Sequence, residues 1–115
     1  MNIGVLGGTF DPIHMGHLII AEEVHSRLDL SQVLFVPAGQ PWFKVDKDKA
    51  ISPAEHRVEM VRLAIADEPD FQLSAMEIER PGPSYTVDTM AELSRRMGDQ
   101  DRLYFILGWD NLNQL

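Results

Sequence analysis

The sequence predicts an α/β fold with a doubly wound, mainly parallel sheet and helices on both faces. Three observations carry that expectation. Short apolar runs alternate with helix-length amphipathic segments. Most of the runs close on glycine or proline, at Gly7, Pro37 and Gly108. Residues 2–36 read strand, helix, strand, and a crossover of that length joins parallel strands, with right-handed connection expected.

Asn2 to Leu6 is an apolar run ended by Gly7-Gly8, the pattern of a strand buried on both faces. A helix fits Gly16 to Leu28, with Ile20, Val24 and Leu28 as its apolar stripe and Glu22, Glu23 and Arg27 toward water. Gln32 to Val36 is the second strand, stopped by Pro37. Pro37 to Ile51 reads as a loop. Ser52-Pro53-Ala54-Glu55 opens a helix to about Ala66, with Ser52 as cap, Pro53 at the first helical position, Glu55 completing a capping box, and Val58, Val61 and Ile65 inward. Phe71 to Leu73 is a third strand. Glu77 to Pro83 reads as a charged connector. Thr86 caps a helix through Met97, ended by Gly98, and Arg102 to Leu107 is the fourth strand. In sheets of this kind ligands bind past the carboxyl ends of the strands, which singles out the loops 7–17, 37–44 and 108–111.

The chain of 115 residues fits one domain, 1–115. A doubly wound domain has five or six strands, so the expectation is that this one is incomplete at its C-terminus. Net charge is −8, which argues against nucleic acid as a partner but leaves room for a small anion held by a few local donors. No stretch has the roughly 20 apolar residues of a membrane span. There are no cysteines, so thiolate metal sites and cysteine nucleophiles are excluded, and a cytoplasmic location is the expectation. Homo-oligomer formation is left open.

Gly7-Gly8 lies between a strand and a helix. Glycines there allow close backbone approach and φ > 0, and the helix amino end behind them offers N–H groups and a positive dipole end. On their own they read first as a tight turn. His14 and His17, three residues apart at the helix start, share one face and can donate hydrogen bonds to phosphoryl oxygens. The other readings are two surface histidines or a zinc site, and zinc lacks a nearby third ligand. No dedicated protein metal site is expected. His25 and His56 read as surface residues. Arg57 fits a phosphate contact and a helix-surface salt bridge equally, and Lys47 and Lys49 read as a solvated loop. Asp11 reads as a turn residue, Tyr104 and Phe105 as core, and Trp109 as a base-stacking group or a cover for the sheet end.

Gly7-Gly8-Thr9-Phe10-Asp11-Pro12-Ile13-His14-Met15-Gly16-His17 resembles the Gly-x-Phe-Asp-Pro-x-His-x-Gly-His signature of the HxGH nucleotidyltransferases, whose fold is Rossmann-like. Within that superfamily the chain resembles the bacterial nicotinate-nucleotide adenylyltransferases. The likeness runs through Pro37 to Pro41 with Lys44, the helix 52–64, Glu79-Arg80, the segment Ser84 to Thr89, and Gly108-Trp109-Asp110. The resemblance implies adenylyl transfer from ATP to nicotinate mononucleotide, giving deamido-NAD and pyrophosphate in NAD biosynthesis. Mg²⁺ would come with ATP, and no covalent enzyme intermediate would form.

The resemblance also implies site residues. His14, His17 and Lys44 are the catalytic group, with His17 nearest the α-phosphate. Gly7, Gly8, Thr9, Phe10, Gly108 and Asp110 join the two histidines around ATP. Lys44, Tyr85, Thr86 and Trp109 face the acceptor, with Thr86 toward the nicotinate carboxylate. Two departures qualify the match. Trp42-Phe43 stand before Lys44 where the family often has histidine. The family's later Arg-type motif for the triphosphate is absent, so these residues alone are expected to be inactive. The alternatives are a related enzyme acting on nicotinamide mononucleotide or phosphopantetheine, and a nucleotide-binding module without turnover.

Overall fold

Asn2 to Gly8 forms strand β1, in a computed structural model that describes residues 1–8, 10, 13, 15–38, 53–79, 86–98 and 100–106, with only the backbone of Thr86 and Val87. The remaining elements follow in order: α1 (Met15–Arg27), β2 (Gln32–Pro37), α2 (Ala54–Ala64), β3 (Phe71–Leu73), α3 (Met76–Glu79), α4 (Thr86–Arg96) and β4 (Arg102–Ile106). The strands form one parallel sheet in the order β3-β2-β1-β4. The chain steps outward from β1 to β2 and β3, then returns to the other side of β1. The switch point of the topology therefore falls between β1 and β4, where open α/β sheets bind ligands.

Alternation along the strands divides the core into two layers. Leu6, Val33, Phe35, Phe71 and Ile106 face one side and meet Ala21 of α1 and Val61 of α2, with Ile65 just beyond it. Val5 and Val36 face the other side and meet Met76 of α3 and Leu93 of α4. Helices thus cover both faces, as the apolar runs predicted. Each fully buried valine or leucine contributes about 1.5–3 kcal/mol, so both layers are needed to hold a four-stranded sheet.

Four details depart from the sequence reading. First, β1 continues through Gly7 and Gly8, paired with Val36 and Pro37, and neither glycine has positive φ. Phe10, just past them, is left-handed at φ 52, as is Asp29 after α1. Second, Leu28 lies past the end of α1 and is exposed, while His17 and Ala21 are the buried positions of that helix. Third, Pro53 is the cap residue of α2, with ψ 146 and no side-chain capping bond, so Glu55 stands one position too early for the expected box. Ser52 is outside the described residues. Fourth, residues 76–79 of the expected connector region form α3, one turn closed by bonds to the carbonyl of Ala75.

Candidate active site

The carboxyl ends of β1 and β2 finish level with each other. Leu6 pairs with Phe35, Gly7 with Val36 and Gly8 with Pro37. One more bond carries the pairing past the strands: the Ala38 N–H donates to the Gly8 carbonyl at 2.8 Å. On the other flank Leu6 pairs with Ile106, the last residue of β4. β4 therefore ends on the same edge of the sheet as β1, and Gly108, Trp109 and Asp110 lie outside the described residues.

Phe10 anchors the turn after β1. Its ring is fully buried, in the layer that holds Leu6 and Phe35. A left-handed backbone at a non-glycine residue costs roughly 1–2 kcal/mol, and burying a phenyl ring offsets it. Such conformations gather at functional sites, where the surrounding structure over-determines them. Here the constraint is visible on two sides, with Phe35 at a ring separation of 6.0 Å and His17 at 4.9 Å. Close packing extends to Gly8, where an added Cβ would stand 3.4 Å from the Phe10 ring.

His17 lies in the first turn of α1 and is only 6% exposed. Its imidazole sits edge to face with Phe10, the planes 74° apart. That turn contains no acidic residue, so no carboxylate of the helix itself opposes an anion at the dipole's positive end. The arrangement places a buried imidazole, the amino end of a helix and a glycine-lined strand end on one edge of the sheet. Chemically it suits negatively charged oxygen, which fixed donors in a water-poor setting hold well.

The expected site residues divide by position. Gly7, Gly8, Phe10 and His17 come together at the end of β1. Thr86 is the first residue of α4, on the opposite face of the sheet. Thr9, His14, Lys44, Tyr85, Gly108, Trp109 and Asp110 lie outside the described residues, as does Asp11.

Three contacts were not read from the sequence. Arg57 is not on the helix surface: it is 2% exposed, and its Nη1 donates to the Ala38 carbonyl. The signal was indirect, an arginine one residue before the apolar Val58. Glu77 accepts from the hydroxyl of the buried Thr89, tying α3 to the first turn of α4. Twelve residues separate that pair, beyond any local spacing rule. His25, expected at the surface, is half-buried instead. Its Nε2 is 3.1 Å from Asp70 Oδ2, and its ring stands edge-on to Phe71. His56 is exposed, as expected, and Tyr104 and Phe105 pack into opposite layers.

Comparison with known proteins agrees with this geometry. Residues 5–115 match the model of a family described as cytidylyltransferase-like. A protein of Dehalococcoides mccartyi named probable nicotinate-nucleotide adenylyltransferase is 55% identical over 115 residues, covering 100% of this chain and 55% of the relative. A protein of the same name from Thermus thermophilus is 52% identical over 110 residues, covering 96% of this chain and 56% of the relative. The chain thus spans about half the length of the curated relatives it matches. Among solved structures, Plasmodium falciparum nicotinic acid mononucleotide adenylyltransferase complexed with NaAD superposes with a TM-score of 0.70 at 23% identity, over 98% of this chain and 54% of that one. The same enzyme complexed with APC superposes with a TM-score of 0.66. At that identity the superposition speaks for the fold.

Proposed function

This chain belongs to the cytidylyltransferase-like family, and from that premise we propose that it carries the phosphate-binding loop of a nicotinate-nucleotide adenylyltransferase. The reaction is transfer of the adenylyl group of ATP to nicotinate mononucleotide. A phosphate oxygen of the mononucleotide attacks the α-phosphorus in line. The bond from that phosphorus to the β-phosphate oxygen breaks, and pyrophosphate leaves with the electron pair. Deamido-NAD is the other product.

The observation that carries this reading is the buried His17 imidazole at the amino end of α1, packed on Phe10 just past the end of β1. In this role His17 donates to an α-phosphate oxygen as negative charge gathers there. Gly7 and Gly8 let the phosphates approach the backbone. His14 and Lys44 add donors to the same phosphates, while Thr9, Phe10, Gly108 and Asp110 complete the nucleotide side. Tyr85, Thr86 and Trp109 take the nicotinate side, with Thr86 toward its carboxylate. Mg²⁺ arrives with ATP and offsets the charge of the triphosphate. The names of the relatives support nicotinate mononucleotide as acceptor, as does the segment Ser84 to Thr89.

The test supplies the intact protein with ATP, Mg²⁺ and one acceptor at a time. Nicotinate mononucleotide is expected to release pyrophosphate and yield deamido-NAD. Release with phosphopantetheine or nicotinamide mononucleotide and none with nicotinate mononucleotide would overturn the acceptor. ATP binding without pyrophosphate from any acceptor would favour a nucleotide-binding module.

A further inference from the structure

We propose that Arg57 is a positioning residue for ATP: its buried guanidinium holds the ends of β1 and β2 level through the backbone of Ala38. The inference rests on the adenylyl-transfer reading above.

Arginine keeps its charge inside proteins, so a guanidinium that is 2% exposed has to be met by acceptors. One of those acceptors is the Ala38 carbonyl. Ala38 is the first residue past β2, and its N–H donates to the carbonyl of Gly8, the last residue of β1. A single residue therefore joins three elements. Its N–H faces β1, its carbonyl faces α2, and its chain leads into the 37–44 loop that carries Lys44.

The placement has an electrostatic consequence. A carbonyl at the carboxyl edge of the sheet carries partial negative charge, which opposes an incoming polyphosphate. Arg57 occupies that carbonyl and offsets its partial negative charge at the strand ends. Arg57 belongs to the first turn of α2, so the clamp also ties the amino end of that helix to the site.

Arg57→Met keeps the length of the side chain without its donors, and Arg57→Lys keeps a cation without the planar fork. Both are to be made in the intact protein and followed by site-resolved amide exchange and by calorimetric titration with ATP. Exchange is expected to rise at Ala38 while Ile3 to Leu6 keep their protection. The Kd for ATP is expected to weaken about tenfold in Arg57→Met, the size of one lost hydrogen bond from a charged donor, and less in Arg57→Lys. Added guanidinium ion is expected to return part of the affinity to the Met variant and none to the wild type. An ATP Kd within about twofold of wild type in the folded Met variant would overturn the proposal. So would a loss of protection spread evenly over the sheet. Should Arg57→Met fail to fold, Arg57→Lys decides by the same two readings. Failure of the adenylyl-transfer reading appears separately, as wild-type protein that binds ATP but makes no pyrophosphate from nicotinate mononucleotide.

Discussion

The ring of Phe10 and the imidazole of His17 lie edge to face, centroids 4.9 Å apart and planes at 74°. One is the residue with left-handed backbone in the turn after β1, the other the buried position in the first turn of α1. The left-handed residue and the buried histidine are thus packed together. Aromatic pairs of this geometry add about 0.5–1.5 kcal/mol beyond the area they bury. Phe10→Leu keeps most of the buried volume and loses the ring contact. It is expected to cost about 1–2 kcal/mol in urea unfolding, whereas Phe10→Ala is expected to cost about 3–5 kcal/mol. No measurable cost for Phe10→Leu would mean that the ring contact contributes nothing.

His17→Ala tests the chemistry of the same pair. If the imidazole donates to phosphate in the transition state, kcat in the intact protein falls by about 10² or more. A change confined to KM would assign His17 to ground-state binding instead.

Two glycines of β1 are expected to respond in opposite ways. A Cβ on Gly4 would stand 2.7 Å from Leu30 Cδ1 and 3.1 Å from Ile106 Cδ1, both on buried side chains. Gly4→Ala should therefore cost about 1–3 kcal/mol by overpacking, with ATP binding unaffected in the folded fraction. The nearest atoms to a Cβ on Gly8 belong to the Phe10 ring, at 3.4 Å. Gly8→Ala should change stability by less than about 1 kcal/mol, yet weaken ATP binding about tenfold or more if the phosphates approach that backbone. Denaturation and calorimetry on the two variants separate these effects.

Acid stability has one identified contributor. The Met1 ammonium lies 2.9 Å from Asp101 Oδ1, and the Gly98 N–H donates to Oδ2 at 3.1 Å. The hydrogen bond from the ammonium, then that from Gly98, holds the Asp101 carboxyl below its ordinary value of 3.8. A carboxyl lowered on folding contributes its full share above the unfolded pKa, and that share is lost as pH falls through the folded one. Thermal melts of Asp101→Asn and wild type should therefore differ at neutral pH and converge below about pH 3. A constant difference down to that pH would remove Asp101 from the acid transition.

Much of the fold was legible because its signals are local. Runs such as Val33 to Val36 can only be strands buried on both faces, and Val61 and Ile65 fall at helical spacing. The expectation of a phosphate site after β1 came from local patterns as well, a glycine pair and closely spaced histidines. α3 was not, since a single turn is too short to display a period. Arg57 was not, because helix periodicity predicts which face turns inward and says nothing of what an inward polar group will meet.

The sequence by itself determined the four strands, the helices α1, α2 and α4 in their order along the chain, and the helical cover of both sheet faces, because periodicity and turn residues act over a few positions. Only the tertiary structure decided that β1 runs through both glycines, that strain falls on Phe10, that His17 is buried against it, and that Arg57 reaches the Ala38 carbonyl. Each of those facts depends on groups brought together by packing across the sheet. Close packing selects among conformations that local sequence leaves equally open.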